Sequence, residues 1–264
     1  WSNARSATCA FIEVRGTLPD EILTPTTGIR VSTGKSGGTA PKRGHFTCGR
    51  CGTVQDVQES TRMFGRTAPF AAYALQGYCP QCSKEGKAYG GRFFAAIRDA
   101  KRFVAALREW EALRESELSA FWPRSEIIIG DEIGPHDVEG HHYDAWWKMF
   151  NARQLLGNST LLKAIMNCGE NEHSWACREF VLGAFQQFLR NQNMFSFWHL
   201  KLDKLAPALS NSNFRPSNNV VEVGFFSPMG YGPWKSTIKV LRKTADWLAE
   251  PSDVASNEYI VARN

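Results

Sequence analysis

The sequence lacks any run of about 18 apolar residues, the length that a membrane-spanning helix needs, so helical integral membrane proteins are excluded. It also lacks the composition of a disordered chain, because 43% of its 264 residues are hydrophobic and 22% are charged. Its start, at Trp1 rather than Met, does not resemble a signal peptide. We therefore expect an internal piece of a longer, cytoplasmic protein.

Acidic residues are missing between Glu21 and Asp56, although the whole chain has 26 acidic against 31 basic residues and a net charge of +5. The basic residues of this stretch are Arg30, Lys35, Lys42, Arg43 and Arg50. A cluster of this kind is either a solvated basic loop or a set of contacts to nucleic-acid phosphates. We interpret these five residues as candidate DNA-binding residues because a predicted metal site lies beside them.

Four of the seven cysteines fall into two Cys-x-x-Cys pairs, Cys48 with Cys51 and Cys79 with Cys82, which 27 residues separate. Two thiolates three positions apart can bind one tetrahedral ion, and four thiolates favour structural Zn²⁺ with no open position for a catalytic water. The alternatives are two disulfides, which a secreted protein would favour, and a redox motif, for which a thioredoxin-like context is missing. His45 is a less favoured competing ligand.

Strand-like segments flank both pairs, at 45–47 and 53–57 for the first pair and at 73–78 before the second. The pattern predicts an α+β protein, in which a small β zinc ribbon packs on a mainly α-helical body. Residues 1–91 form the β-rich region, with knuckles at 48–51 and 79–82, and residues 92–264 form the helical region.

The helical region is predicted from apolar residues at helical spacing over 92–119, 152–166, a helix capped by Ser174, and 235–249. Asn151 is the predicted N-cap of the second helix. A short strand is predicted near 220–226. The acidic, His-bearing stretch 131–142 is most simply a surface loop, and a hydrolase that uses Asp131 or His142 is a weaker alternative.

Residues 147–162, WKMFNARQLLGNSTLL, resemble the Leu-Phe-x-Pro-Arg-Gln-Leu-Leu-x-Leu-x-Thr stretch of prokaryotic adenine-specific DNA methylases with an inserted zinc ribbon. The order agrees as well, since a basic run precedes the first knuckle and the stretch Val221 to Trp234 ends in Gly-x-Trp. The sequence departs from the family at Ala152, usually Pro, and at Gly157, usually Ala or Val.

The resemblance implies a DNA-binding and target-recognition segment of an S-adenosylmethionine-dependent adenine-N6 methyltransferase in a modification or anti-phage defence system. The family's Gly-rich cofactor loop and Asp-Pro-Pro-Tyr tetrapeptide are both missing, and the chain contains no Pro-Pro. The chain therefore resembles the middle insert of such an enzyme, and no catalytic residue is named. S-adenosylmethionine would bind only where flanking parts complete the enzyme.

Arg153 and Gln154 open the helix of the resembled stretch and could face base edges or phosphates, because both side chains make bidentate hydrogen bonds. The equally weighted alternative is that they only fix the helix in place. The alternative function is a non-catalytic zinc adaptor that contacts nucleic acid or protein within a larger assembly. The expected partners are DNA and the remaining parts of the methyltransferase or other subunits of a defence complex, with no membrane.

Overall fold

The computed structural model describes residues 19–23, 30–32, 45–47, 51–56, 72, 74–97, 101–128, 143–169, 172–199, 204–207, 221–227 and 232–249. Its strands are β1 (Glu21–Leu23), β2 (Arg30–Ser32), β3 (His45–Thr47), β4 (Val54–Asp56), β5 (Ala74–Tyr78), β6 (Arg92–Ala96), β7 (Phe197–His199) and β8 (Lys204–Ala206). Its α-helices are α1 (Pro80–Lys84), α2 (Lys101–Leu113), α3 (Ala152–Met166), α4 (Glu172–Leu189) and α5 (Trp234–Ala249). The mixed α+β class is confirmed.

The strands of the N-terminal half form antiparallel pairs between neighbours in the chain. β1 pairs with β2, β3 pairs with β4 through Thr47 opposite Val54, and β5 pairs with β6 through Tyr78 opposite Arg92. In sequence, one Cys-x-x-Cys pair therefore falls between the two strands of each of the last two hairpins. The predicted strands around both knuckles are confirmed.

Residues 92–96 correct the helix predicted over 92–119. They form β6, and α2 extends only from Lys101 to Leu113. The predicted division after residue 91 consequently falls within the β5–β6 hairpin. Strand pairing with β5 decides the backbone of this segment, although its alanines have helical propensity.

The helical body is organised around three clusters of buried side chains. Trp110 of α2 and Leu155 of α3 form one cluster with Leu118. Phe185 and Phe188 of α4 form another with Ile165 of α3. The third cluster comprises Ile127, Tyr143, Met149 and Phe195. The aromatic density of this half is therefore core packing, as expected for large apolar side chains.

The predicted helices over 152–166 and 235–249 are confirmed by α3 and α5. Ser174 is not an N-cap, because α4 begins at Glu172. The strand predicted near 220–226 is also wrong for the part that the structure describes, since 221–224 are coil and 225–226 form a turn. Val221 makes one backbone hydrogen bond, to the Ser196 carbonyl at 3.2 Å, and no ladder follows.

Candidate metal and nucleic-acid site

The second knuckle is held by backbone hydrogen bonds that close the β5–β6 hairpin around it. The Cys79 N–H donates to the Gly91 carbonyl at 2.8 Å, and the Cys79 carbonyl accepts from the Ser83 N–H at 3.1 Å. Pro80 occupies the first turn of α1, where a missing N–H costs nothing. The Lys87 N–H then donates to the Cys82 carbonyl at 3.0 Å. Both cysteines are thereby fixed at one end of the hairpin.

Gly91 lets the hairpin approach the knuckle this closely. Its φ is +83°, and a Cβ at this position would lie 2.5 Å from the Cys79 carbonyl oxygen and 2.9 Å from the Ser83 nitrogen. Both the left-handed backbone and the lack of space require glycine. The preceding Gly90 also has a positive φ, +58°, but a Cβ there would meet no atom within 4 Å.

The two cysteines of the second knuckle are connected by hydrogen bonds to the Cys79 sulfur. Cys79 Sγ accepts the Cys82 N–H at 3.4 Å, and this backbone bond, with the Cys82 thiol bond, holds the pKa of Cys79 below its ordinary value. Donation to the same sulfur raises the pKa of Cys82. The two cysteines of the second knuckle are therefore close enough for the Cys79 sulfur to accept hydrogen bonds from the Cys82 N–H and thiol.

The first knuckle is described only in part, since Cys48 and Arg50 lie outside the described residues. Cys51 is exposed, its Sγ lies 3.1 Å from Thr53 Oγ1, and Gly52 follows it with φ +72°. Within the described residues, no group of three or more His, Cys, Asp or Glu side chains is placed to hold a metal ion. Cys79 and Cys82 thus lie together, and Cys51 is not grouped with them in the part of the chain that the structure describes.

Four of the predicted DNA-binding residues, Lys35, Lys42, Arg43 and Arg50, lie outside the described residues. Arg30 begins β2, and only its backbone is described. The stretch 131–142 is likewise outside the described part of the chain.

Gln154 is corrected from a DNA contact to a helix cap. Its side chain is 0% exposed, and Oε1 accepts the Asn151 N–H at 3.0 Å. The Gln154 N–H donates in return to Asn151 Oδ1 at 2.9 Å, which completes a capping box. A side chain buried in this way does not reach a base edge, so the structural alternative holds for this residue.

Arg153 is placed between two elements that the sequence did not connect with it. Its Nε lies 3.1 Å from Glu222 Oε1, and its guanidinium carbon lies 4.6 Å from the centre of the Phe103 ring. Glu222 also accepts a hydrogen bond from Asn151 Nδ2 at 3.0 Å, across 71 positions of sequence. Arg153 therefore links α3 to α2 and to residues 221–227, while 37% of its side chain stays exposed.

Glu222 is the residue of this region that sequence reasoning missed. The sequence predicts only that it belongs to a strand near 220–226. No spacing rule connects it with the start of α3 at Asn151, 71 positions earlier. The one usable signal was a lone acidic residue in an otherwise apolar run, Val-Val-Glu-Val. Such a residue requires a polar partner when it is half-buried, as Glu222 is.

Comparisons with known proteins give no family: no family model, no curated protein and no solved structure matches the chain. No helix among the described residues is long and apolar enough to cross a membrane.

Proposed function

We propose that this chain is the zinc-anchored, DNA-contacting segment of an S-adenosylmethionine-dependent adenine-specific DNA methyltransferase of a prokaryotic modification or defence system. One observation supports it above the others. Each Cys-x-x-Cys pair falls, in sequence, between the two strands of its own antiparallel hairpin, and in the second hairpin the backbone fixes both cysteines. The resemblance of residues 147–162 then supplies the enzyme class.

The residues that would hold Zn²⁺ are Cys48, Cys51, Cys79 and Cys82. The second pair fits the ion because backbone hydrogen bonds already hold Cys79 and Cys82 together, so little reorganisation would precede metal binding. When bound by four thiolates, zinc supplies structural cross-linking and no catalysis. Completing the site requires the β3–β4 hairpin to bring its thiols to those of β5–β6.

A metal cross-link would also stabilise the β5–β6 hairpin, which has little hydrophobic core of its own. Leu75, Phe93 and Phe94 are 44%, 46% and 57% exposed, so this hairpin does not bury its large side chains. Two-stranded hairpins without a covered face are marginal in water. A tetrahedral ion shared by two such hairpins replaces the missing core with ligand bonds.

The DNA-contacting part of the proposal depends on the basic stretch before the first knuckle. Lys42 and Arg43 would contact phosphates, which gives affinity without sequence preference and a dependence on salt. Methyl transfer to adenine N6 would belong to cofactor and tetrapeptide motifs that this chain does not contain. Here the chain's own residues bind and position DNA, and S-adenosylmethionine binds only with the completing parts.

The alternative is a non-catalytic zinc adaptor within a larger assembly. Leu75 and Phe93 lie on one face of the β5–β6 hairpin and Phe94 lies on the other. Large apolar side chains that stay exposed favour the adaptor, because such surfaces commonly bind protein. Titration calorimetry with S-adenosylmethionine tests where the cofactor site of the proposed enzyme lies. Binding by this chain alone would contradict the assignment of the cofactor site to other parts of the enzyme.

The zinc site is tested by metal analysis of Cys82→Ser beside Cys168→Ser, whose cysteine is exposed and outside both pairs. We expect one zinc per chain in the wild type and in Cys168→Ser, and loss of zinc with unfolding of the hairpins in Cys82→Ser. Zinc at full stoichiometry in Cys82→Ser, or disulfides joining the four thiols in the wild type, would refute the site.

A further inference from the structure

Helix α5 attaches to the helical body through its first turns. The Trp234 N–H donates to the Phe225 carbonyl at 2.8 Å, and the Trp234 ring lies edge-on to Phe188 with centroids 5.4 Å apart. Ile238 and Leu241 are half-buried one and two turns later. The apolar edge of the helix is therefore occupied by the protein at this end.

A cluster of cations lies along a different edge of α5. Its members, Lys235, Lys239, Arg242 and Lys243, are all exposed and follow the i, i+4, i+7, i+8 spacing of one helix face. They border the same shallow groove together with Ile238 and Asp246. Within the part of the chain that the structure describes, these four side chains make neither an ion pair nor a hydrogen bond. We call them the α5 cation face.

We propose that the α5 cation face is a second nucleic-acid contact, which binds the phosphate backbone. The rise of about 1.5 Å per residue places its outermost members about 12 Å apart along the axis. One strand of duplex DNA carries a phosphate per about 3.4 Å of its axis, so the face covers three or four phosphates. The inference rests on the proposed function only in that DNA is the expected partner.

The packing of α5 favours nucleic acid over an anionic lipid surface. A helix that lies in a membrane interface inserts a continuous apolar face among the acyl chains. Here Trp234, Ile238 and Leu241 are turned partly into the protein, and only Val240, Trp247 and Leu248 remain largely exposed. The four cations are exposed over 235–243, the stretch in which Ile238 and Leu241 are partly covered by the protein.

The test measures binding of a fluorescein-labelled 20-bp duplex and a 20-nucleotide single strand by anisotropy, between 50 and 300 mM NaCl. The variant is Lys239→Gln with Lys243→Gln, which removes two exposed cations that make no ion pair or hydrogen bond within the described residues. The matched control is Arg102→Gln with Lys204→Gln, two exposed cations on separate elements, α2 and β8. The variant's zinc content is measured in the same preparations.

We expect the variant to lower the slope of log K against log salt for the duplex by about 1.8, from about 0.9 per lost phosphate contact. At 0.1 M salt this corresponds to a loss of affinity of about 60-fold. The control is expected to change the slope by much less, and zinc content is expected to stay at the wild-type value.

Four outcomes would overturn the inference. If the wild type binds DNA and the variant has the same slope of log K against log salt, the α5 contact is refuted and the proposed function is unaffected. An equal loss in the control shows a net-charge effect and also refutes it. A variant that loses sedimentation with phosphatidylserine vesicles while keeping DNA affinity assigns the face to lipid. If the wild type binds neither nucleic acid, both proposals fail.

Discussion

Glycine-to-alanine substitutions at Gly157 and Gly183, both inside α-helices, are expected to change stability in opposite directions. In α3, a Cβ at Gly157 would lie 2.5 Å from Phe225 Cζ and 2.8 Å from Cε1. In α4, a Cβ at Gly183 would meet nothing within 4 Å. Alanine in a helix interior gains about 0.5–1 kcal/mol over glycine in each case, so only the steric term differs.

The Phe225 ring has little room to yield at Gly157. It packs against Phe188 with centroids 5.3 Å apart, on the cluster that includes Ile165 and Phe185. Moving the ring by roughly 1 Å is overpacking, which typically costs about 1–3 kcal/mol. After the propensity gain, we expect Gly157→Ala to destabilise by about 1 kcal/mol and Gly183→Ala to stabilise by about 0.5–1 kcal/mol.

Urea unfolding followed by tryptophan fluorescence measures both variants, and melting temperatures should shift by about 2–4 °C per kcal/mol. Phe225→Leu combined with Gly157→Ala should cost less than the sum of the two single changes, because leucine relieves the contact. A Gly157→Ala protein at least as stable as the wild type would refute the reasoning. So would a Gly183→Ala protein that is less stable than the wild type.

Two further predictions concern the knuckle and the buried tyrosine. Gly91→Ala should open the contact between Gly91 and Cys79 and weaken zinc retention against a chelator. The control Gly90→Ala, which has open space around the new Cβ, should retain zinc far better. Equal zinc retention by the two variants would contradict the role of the close approach at Gly91. Burial raises the pKa of Tyr143 to about 12, so its contribution to stability is fully present below about pH 10 and is lost as pH rises to about 12. Tyr143→Phe should lose less stability over this range than the wild type or the exposed-site control Tyr89→Phe, and identical urea-midpoint profiles for all three proteins would count against it.

Local signals predicted the elements whose backbone is decided by near neighbours. Asn151 stands before an apolar run at helical spacing, and α3 covers the 152–166 predicted from this N-cap and this spacing. The alternation that flanks the cysteine pairs likewise predicted β3, β4 and β5, but not β6. These interactions join residues within a few positions of one another, so the sequence alone is enough to predict them.

Contacts distant in sequence decided the rest. β6 has helix-forming alanines but pairs with β5, and 221–224 have strand propensity but no partner strand among the described residues, while Glu222 is held by Arg153 and Asn151. The hydrogen-bonding capacity of Gln154 suggested base recognition, since residue type does not reveal burial. The basic spacing on α5 was readable, yet only the packing of Trp234 shows which edge stays outward.

The bond between the Cys79 N–H and the Gly91 carbonyl has a consequence for the order in which an ion would be acquired. Because β5 and β6 hold two sulfurs in place by themselves, the proposed zinc ion would first meet two positioned ligands. Binding by these two thiols alone would be weak and open to competing chelators, and the thiols of the β3–β4 hairpin would then complete a tight four-ligand site. The length of chain joining β4 to β5 would then govern how quickly the ion is trapped, as tether length governs any encounter between two linked partners.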